Sequence, residues 1–274
     1  MKKSFTPLDI AGSMKVAQDQ VRQIETFTSQ SNDFDIISAY EVSRLIHEAR
    51  SNEGALPVGR KIGFTNPAMW DRYGVRAPIW GYMYDRTVVM LDDADTLCGL
   101  SAFCEPMIEP EIVLHFRSAP PVGADRHEVL ASIDWIAHGF EIVQSHFPGW
   151  RFQAADTVAD GGLHGTLLVG TPVPLERLGN DPLAVLTDFT LELFRNDELQ
   201  ETGRGANVLG NPILAVEHLI DVLAGQTLAP GLQAGEMVTT GTLTEAYPVN
   251  AGETWHSQLT GAPLPGLRVT FTDQ

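Results

Sequence analysis

Basic residues are scarce in this chain. Its 274 residues include 18 Lys and Arg against 35 Asp and Glu, a formal charge of −17, and no dense basic run occurs. Such a surface repels phosphate backbones, so nucleic acid is not an expected partner. Cysteine is scarcer still. Cys98 and Cys104 are the only two; they lack C-x-x-C spacing, and reduced, partly buried thiols are expected in place of a disulfide. No apolar run approaches the roughly 20 residues that span a bilayer, and the two lysines near the start are not followed by a run of signal-peptide length. A cytoplasmic protein with no membrane role is expected. Catalytic signatures are missing too. The eight His residues form no H-x-x-x-H pair, no G-x-S-x-G elbow occurs, and the glycine-rich GRGANVLG has neither a phosphate-loop ending nor dinucleotide spacing. Zinc peptidases, serine hydrolases and nucleotide-binding proteins thus lose their marks.

What is present is a globular composition, 43% hydrophobic with 25 Gly and 17 Pro, ample for a core. Residues 9 to 50 read as two amphipathic helices. Ile10, Met14, Val16, Val21 and Ile24 form a stripe in DIAGSMKVAQDQVRQIETF; Ile37, Tyr40, Val42, Leu45 and Ile46 form another in ISAYEVSRLIHEAR. From Pro57 the texture changes to short β-like runs, among them RTVVML, IEPEIVLHF, FEIVQSHF, GTLLVG, FTLELF, EMVTTGTL and LRVTFT. Asn196-Asp197 suits a tight turn between antiparallel strands. Two helices are expected to interrupt the strands: HEVLASIDWIAHG, and NPILAVEHLIDVLAG with Asn211 as N-cap, Pro212 at the first helical position and Gly225 at the end. The chain therefore divides into a helical N-terminal region, 1–55, and a mostly antiparallel β body, 56–274.

Several residues in the body are candidates for chemistry. In Ile108-Glu109-Pro110-Glu111-Ile112 a strand period of two puts Glu109 and Glu111 on one face, opposite Ile108, Pro110, Ile112, Leu114 and Phe116. Paired carboxylates repel each other unless they are solvated or bind a hard cation, so a solvated acidic face and a metal site both fit. Pro110 cannot donate a ladder bond, which points to an edge or irregular strand. Glu141, between Phe140 and Ile142 after a helix ending near Gly139, is a third carboxylate for such a site or an outward-facing side chain. Lys61 lies in an apolar, Gly-bounded segment that suits an acid, a base or a carboxylate anchor, although a snorkelling surface lysine fits as well. DTVADGGLHG gathers Asp156, Thr157, Asp160 and His164 in a loop-like stretch. Thr240, Gly241, Thr242 and Thr244 suit either carboxylate binding or a turn. Trp70, Trp80, Tyr82 and Tyr84 shape a substrate pocket or serve as core aromatics.

Taken in order, GRKIGFTNPAMWDRYGVRAPIWGYMYD, IEPEIVLHF, HGFEIVQSHFPGWRFQAADTVADGGLHGTLLVG, GRGANVLGNPILAVEHLIDVLA and LQAGEMVTTGTLTEAYPVNAGETW resemble the fumarylacetoacetate hydrolase superfamily. The resemblance is to its 2-keto-4-pentenoate hydratase and 4-oxalocrotonate decarboxylase branch and runs from about Tyr40 to the end. It implies an α+β fold, a mixed, mainly antiparallel β-roll like the fumarylacetoacetase C-terminal domain, with a helical N-terminal region. It also implies Mg²⁺ or Mn²⁺ on Glu109, Glu111 and Glu141, Lys61 and Asp156 in the catalytic site, and a substrate carboxylate held by Thr240, Gly241, Thr242 and Thr244. The implied activity is that of a hydro-lyase adding water to a 2-hydroxy-2,4-dienoate, giving a 4-hydroxy-2-oxo acid in the catabolism of aromatic or cyclic compounds. Alternatives are decarboxylation of a 2-oxo-3-enedioate, C–C bond hydrolysis using His47 and Glu48, or a non-catalytic oxo-acid-binding partner subunit. A homo-oligomer and a complex with a pathway enzyme are also implied. The chain departs from the branch's pattern at KIGFTN, at Gly161 where Asn is common, and at Leu163 and His164 where small polar residues are common. These departures concern the substrate more than the metal.

Overall fold

Three helices open the chain: α1 (Pro7–Asp19), α2 (Phe27–Gln30) and α3 (Ile36–Asn52). They belong to a computed structural model that describes residues 5–67, 70–73, 75, 77–91, 95–226 and 229–274. A capping box between Thr6 and Asp9 starts α1, and Asp35 caps α3 by accepting from the Ser38 amide. The first helix is shorter than its apolar stripe suggests. Val21 turns left-handed (φ 48°) and the Ile24 amide donates to the His146 carbonyl at 2.7 Å, so this segment is tied to the body instead of extending the helix. Ile10 and Met14 of α1 and Val42 and Ile46 of α3 share an apolar cluster with Phe147, Val158 and Ala159 of the body.

The strands are β1 (Pro57–Gly63), β2 (Ile79–Tyr84), β3 (Val88–Met90), β4 (Asp95–Gly99), β5 (Met107–Phe116), β6 (Ile133–Val143) and β7 (His164–Val169). After them come β8 (Val173–Pro174), β9 (Thr190–Arg195), β10 (Glu198–Arg204), β11 (Met237–Thr242), β12 (Tyr247–Pro248), β13 (Thr254–Thr260) and β14 (Arg268–Thr272). The intervening helices are α4 (Trp70–Tyr73), α5 (Arg126–Ala131), α6 (Ala154–Ala159), α7 (Pro182–Asp188) and α8 (Pro212–Gly225). The main sheet has the order β2-β1-β11-β5-β6-β7-β3, and a second sheet the order β10-β9-β13-β14-β4.

The edge strands β2 and β3 are joined by a turn at residues 85–87, which draws the sheet into a roll. Thr87 closes the seam: its carbonyl accepts from the Leu167 amide at 2.7 Å and from Thr166 Oγ1 at 3.0 Å. Inside the roll, Met83, Val113, Ala137, Leu167 and Val169 form a small apolar cluster. Outside it, Ile112, Leu114, Ile136 and Phe140 pack in a larger core with α8 and with Leu191, Trp255 and Phe271 of the second sheet. The α+β class and the mixed, mainly antiparallel roll agree with the sequence reading.

Other expectations change. Of the helix expected over HEVLASIDWIAHG only α5 forms, started by an Asp125–Glu128 capping box. Residues from Ile133 onward make an 11-residue strand. That strand lies between β5 and β7 with both faces buried, so it shows no clean alternation to distinguish it from a helix. Glu141 accordingly sits near the end of a long strand, not at the start of one. Pro110 is on an interior strand, where its missing N–H meets an irregularity: β11 shifts register between Thr239 and Thr242, and the Leu243 amide donates to the Pro110 carbonyl at 2.8 Å. Asp156 and Thr157 lie in α6, not in a loop. The Asn196-Asp197 turn forms as expected, both residues left-handed (φ 49° and 64°). Both cysteines are free and buried. The segment 205–225 is apolar and long enough to qualify as a candidate span, but half of its apolar window is buried. Its continuous helix, α8, has 14 residues, about 21 Å in length.

Candidate active site

Glu109 and Glu111 point from β5 into one end of the roll, and Glu141 joins them from β6, directly paired with Glu109. One carboxylate oxygen from each lies within 4.8 Å of the other two. Lys61 enters from β1. Its Nζ donates to the Gly162 carbonyl at 2.9 Å and stands 3.1 Å from Glu141 Oε2. The Gly241 amide donates to Glu111 Oε2 at 2.8 Å. Glycine is required there: φ is 97° and a Cβ would lie 1.8 Å from Thr65 Oγ1. His164 Nδ1 donates to Glu141 Oε1 at 2.7 Å.

The electrostatics of this end are those of an acidic cluster that Lys61 compensates only in part. Burial pushes the Glu109 carboxyl up to about 7 against the pull of Lys61, and burial together with Glu141 pushes the Glu111 carboxyl well above its ordinary value. Burial acts the same way on Glu141, but the Lys61 ammonium and His164 outweigh it and hold that carboxyl below its ordinary range. Burial works against the Lys61 ammonium, yet the three carboxylates win and raise its pKa. Glu111 Oε1 and Glu141 Oε2 are buried without a hydrogen-bond partner. Three oxygen donors, two with orphaned atoms and one ammonium among them, fit a hard divalent cation.

A stability prediction follows from the raised carboxyls. Ionising Glu109 and Glu111 costs more in the folded chain than at the ordinary value of 4.5. Their favourable contribution is therefore complete below that value and is lost as pH rises through each raised pKa, about 7 for Glu109. A bound cation removes the cost. The rise in Tm caused by Mg²⁺ should be larger at pH 8 than at pH 5.5; an equal or smaller rise at pH 8 in thermal scans would count against the cluster as a cation site.

Above the carboxylates lies a cavity of about 60 Å³. Lys61, Glu109, Gly241, Thr242 and Thr244 line it together with the apolar Phe64, Trp150, Phe152 and Leu163. Phe64, Trp150 and Leu163 are all left-handed, with φ of 57°, 57° and 66°. Non-glycine residues adopt that conformation at a cost, and its concentration around one cavity marks a functional site. Glu105 pins the Trp150 turn: its carbonyl accepts from Trp150 Nε1 at 3.0 Å and its carboxylate from the Gly149 amide at 2.9 Å.

Not every residue singled out in the sequence comes to this cavity. Thr240 is buried with its hydroxyl donating to the Ile112 carbonyl at 3.3 Å, and it lines no wall. Asp156 also lies outside the lining. Its carboxylate accepts from Thr28 Oγ1 at 2.6 Å, the Thr28 amide at 3.1 Å and the Gln153 amide at 3.0 Å, which caps α6 and holds α2. Trp70, Trp80, Tyr82 and Tyr84 are absent from the walls. Trp80 stacks on Tyr40, and Arg60 covers both Trp80 and Tyr82. His47 stacks on Tyr82 with centroids 3.8 Å apart, and Glu48 pairs with Arg44, so neither supplies a dyad here. The cavity aromatics Trp150 and Phe152, the pin Glu105, and the contact of His164 with Glu141 went unread in the sequence. The motif HFPGW carried a turn signal that marks Trp150; nothing local marks the pairing of β6 with β7 that brings His164 to Glu141.

No family model matches the chain. Over 268 residues it is 28% identical to a 2-keto-4-pentenoate hydratase of Burkholderia vietnamiensis, covering 96% of this chain and 97% of that protein. A 4-oxalocrotonate decarboxylase of Pseudomonas putida is 29% identical over 248 residues, 90% of each chain. The solved structure of 4-oxalocrotonate decarboxylase from Pseudomonas putida G7, complexed with magnesium and adipate, matches with a TM-score of 0.88 at 27% identity, over 98% of this chain and 99% of that one. Fumarylpyruvate hydrolase from Pseudomonas aeruginosa, in complex with Mn²⁺ and pyruvate, shares the fold at a TM-score of 0.58 and 14% identity, over 80% of this chain and 91% of that one. The fold is thus that of a β-roll with an inward-facing carboxylate trio. The chain is similar over nine-tenths of its length to the hydratases and decarboxylases just named, and it shares its fold with solved structures of the fumarylacetoacetate hydrolase family.

Proposed function

We propose that the protein is a divalent-metal-dependent hydratase that converts a 2-hydroxy-2,4-dienoate into a 4-hydroxy-2-oxo acid. The observation that carries this reading is the trio Glu109, Glu111 and Glu141, of which Glu109 lines a cavity with apolar walls together with Lys61. The three glutamates would hold Mg²⁺ or Mn²⁺. Bound there, the ion supplies Lewis-acid polarisation of the substrate's carboxylate and adjacent oxygen.

The chain's own groups do the rest. The raised pKa of Lys61 keeps Nζ protonated at neutral pH, so it can donate a hydrogen bond to the substrate's 2-oxygen and carry a proton to or from the diene. Thr242 and Thr244 line the side where the substrate carboxylate would be received. Phe64, Trp150 and Leu163 grip the flat hydrocarbon tail. Proton transfer brings the remaining double bond into conjugation with the 2-oxo group. Water then adds across that bond, its hydroxyl to C4 and its proton to C3. Asp156 acts by positioning α2 and α6, not as a proton carrier, and Thr240 by holding β11 to β5.

The walls favour hydration over decarboxylation. A 2-oxo-3-enedioate has a second carboxylate at the far end of its chain. Among the described residues lining the cavity Lys61 is the only cation, and the rest of the lining is largely apolar with Glu109 and Glu245 as its carboxylates. A carboxylate placed there is desolvated without a counter-charge. In this reading residues 56–274 form the catalytic body and residues 1–55 cover it. The proposal extends to a cytoplasmic homo-oligomer, alone or in complex with a pathway enzyme, acting on small oxo acids from aromatic or cyclic compounds. Incubation of the Mg²⁺-loaded protein with 2-hydroxypenta-2,4-dienoate and with 2-oxohex-3-enedioate tests it. Loss of dienol absorbance without CO₂ release is expected, and stoichiometric CO₂ from the enedioate with no hydration of the dienoate would replace hydratase by decarboxylase.

A further inference from the structure

His164 is built into the carboxylate cluster. Its side chain is 6% exposed and that of Glu141 is fully buried. Nδ1 donates to Glu141 Oε1 at 2.7 Å, and Nε2 lies 2.9 Å from Thr87 Oγ1. Thr87 is itself fixed, its hydroxyl bonded to both the amide and the carbonyl of Tyr84 at 3.2 Å and its own carbonyl accepting from Leu167. A chain of contacts therefore runs from the Glu141 carboxylate through one imidazole to the turn that closes the roll.

We infer that His164 is a positioning residue of the metal centre, holding Glu141 so that its second oxygen stays available to the ion. The inference rests on the trio being a metal site. Glu141 Oε1 is engaged by His164, while Oε2 stands 3.1 Å from Lys61 in an ion pair but without a hydrogen bond. Without the imidazole, Oε1 would be a buried acceptor that has lost the His164 donor. Rotation of the carboxylate toward the Lys61 ammonium would restore a partner, and would set Lys61 in competition with the cation. Groups that fix a metal-ligating side chain from behind act in this way.

The test is direct, because the other flank of His164 lines a second cavity of about 380 Å³ between α1, α3 and the roll, which gives a small molecule access to the ring's place. Mn²⁺ affinity of the metal-stripped full chain would be measured by electron paramagnetic resonance, with unfolding followed in parallel. His164→Ala should bind Mn²⁺ roughly 10- to 100-fold more weakly than wild type. His164→Gln, which retains an N–H donor, should recover part of the loss, and added imidazole should strengthen binding by His164→Ala but not by wild type. A dissociation constant within twofold of wild type overturns the inference, and so does a weakened one that neither Gln nor imidazole improves. If His164→Ala does not fold, Thr87→Val keeps the ring and removes its anchor; a several-fold loss is expected there, and an unchanged constant overturns the inference. Glu141→Ala separates the two levels. If it binds Mn²⁺ as wild type does, the metal site itself is misassigned, whereas lost binding there with intact binding in His164→Ala removes only the role of His164.

Discussion

Glu111→Ala is expected to lose turnover by roughly 10³-fold, the equivalent of about 4 kcal/mol of transition-state stabilisation. Glu111 is fully buried, one oxygen accepts from the Gly241 amide, and the other has no hydrogen-bond partner. Its removal takes away a cation ligand, and no described side chain stands ready to replace it. The stability of the variant should move the other way. In EDTA the metal-free variant should unfold at the same temperature as wild type or higher at pH 8, because a carboxylate whose ionisation burial opposes has been deleted. Loss of activity together with retained or increased metal-free stability distinguishes a ligand from a packing residue. Glu109→Ala and Glu141→Ala should lose activity likewise, and full activity in either or in Glu111→Ala would remove the trio from the mechanism.

Lys61→Met should lower kcat by roughly 10²- to 10⁴-fold without weakening Mn²⁺ binding. Methionine keeps the length and apolar stem of the side chain but takes away the ammonium that lies 3.1 Å from Glu141 and the donor to the Gly162 carbonyl. A cation at the trio is repelled by that ammonium, so its loss should leave the Mn²⁺ dissociation constant unchanged or lower it. A ligand variant loses affinity and turnover together; Lys61→Met should separate them. The same separation distinguishes Lys61 from His164, whose substitution is expected to act on affinity. Turnover within tenfold of wild type in Lys61→Met would relieve Lys61 of any proton-carrying role.

The parts of this account that rest on local pattern were legible in the sequence. The alternation through Ile108-Glu109-Pro110-Glu111-Ile112 does place two carboxylates on one face, because a strand's side-chain period is a property of its backbone. Asn211-Pro212 starts a helix, and Asn196-Asp197 makes a tight turn, for equally local reasons. What could not be read depends on partners distant in the chain. Residues 133–139, the first part of β6, read as the end of a helix because burial on both faces removes the alternation that identifies a strand, whereas FEIVQSHF reads as a strand. Asp156 attracted a catalytic role through its motif, whereas its oxygens are engaged by Thr28, which lies 128 residues away in sequence. The aromatics near Lys61 suit either a pocket or the core; Trp80 and Tyr82 join the main core, and the cavity takes Trp150 and Phe152 from a turn pinned by Glu105. His164 is visible as a candidate in DTVADGGLHG and as a departure from pattern, but its contact with Glu141 lies in the register that sets β7 beside β6.

The central claim, metal-dependent hydration at this cavity, is tested most directly by titrating Mg²⁺ into EDTA-stripped, desalted protein with 2-hydroxypenta-2,4-dienoate present, following dienol absorbance and identifying the product. The expected result is no enzymatic loss of the dienol before Mg²⁺ is added and a saturable rate afterwards, with 4-hydroxy-2-oxopentanoate as the product. Full-rate hydration by the stripped protein, or no hydration at saturating Mg²⁺ or Mn²⁺, would contradict it.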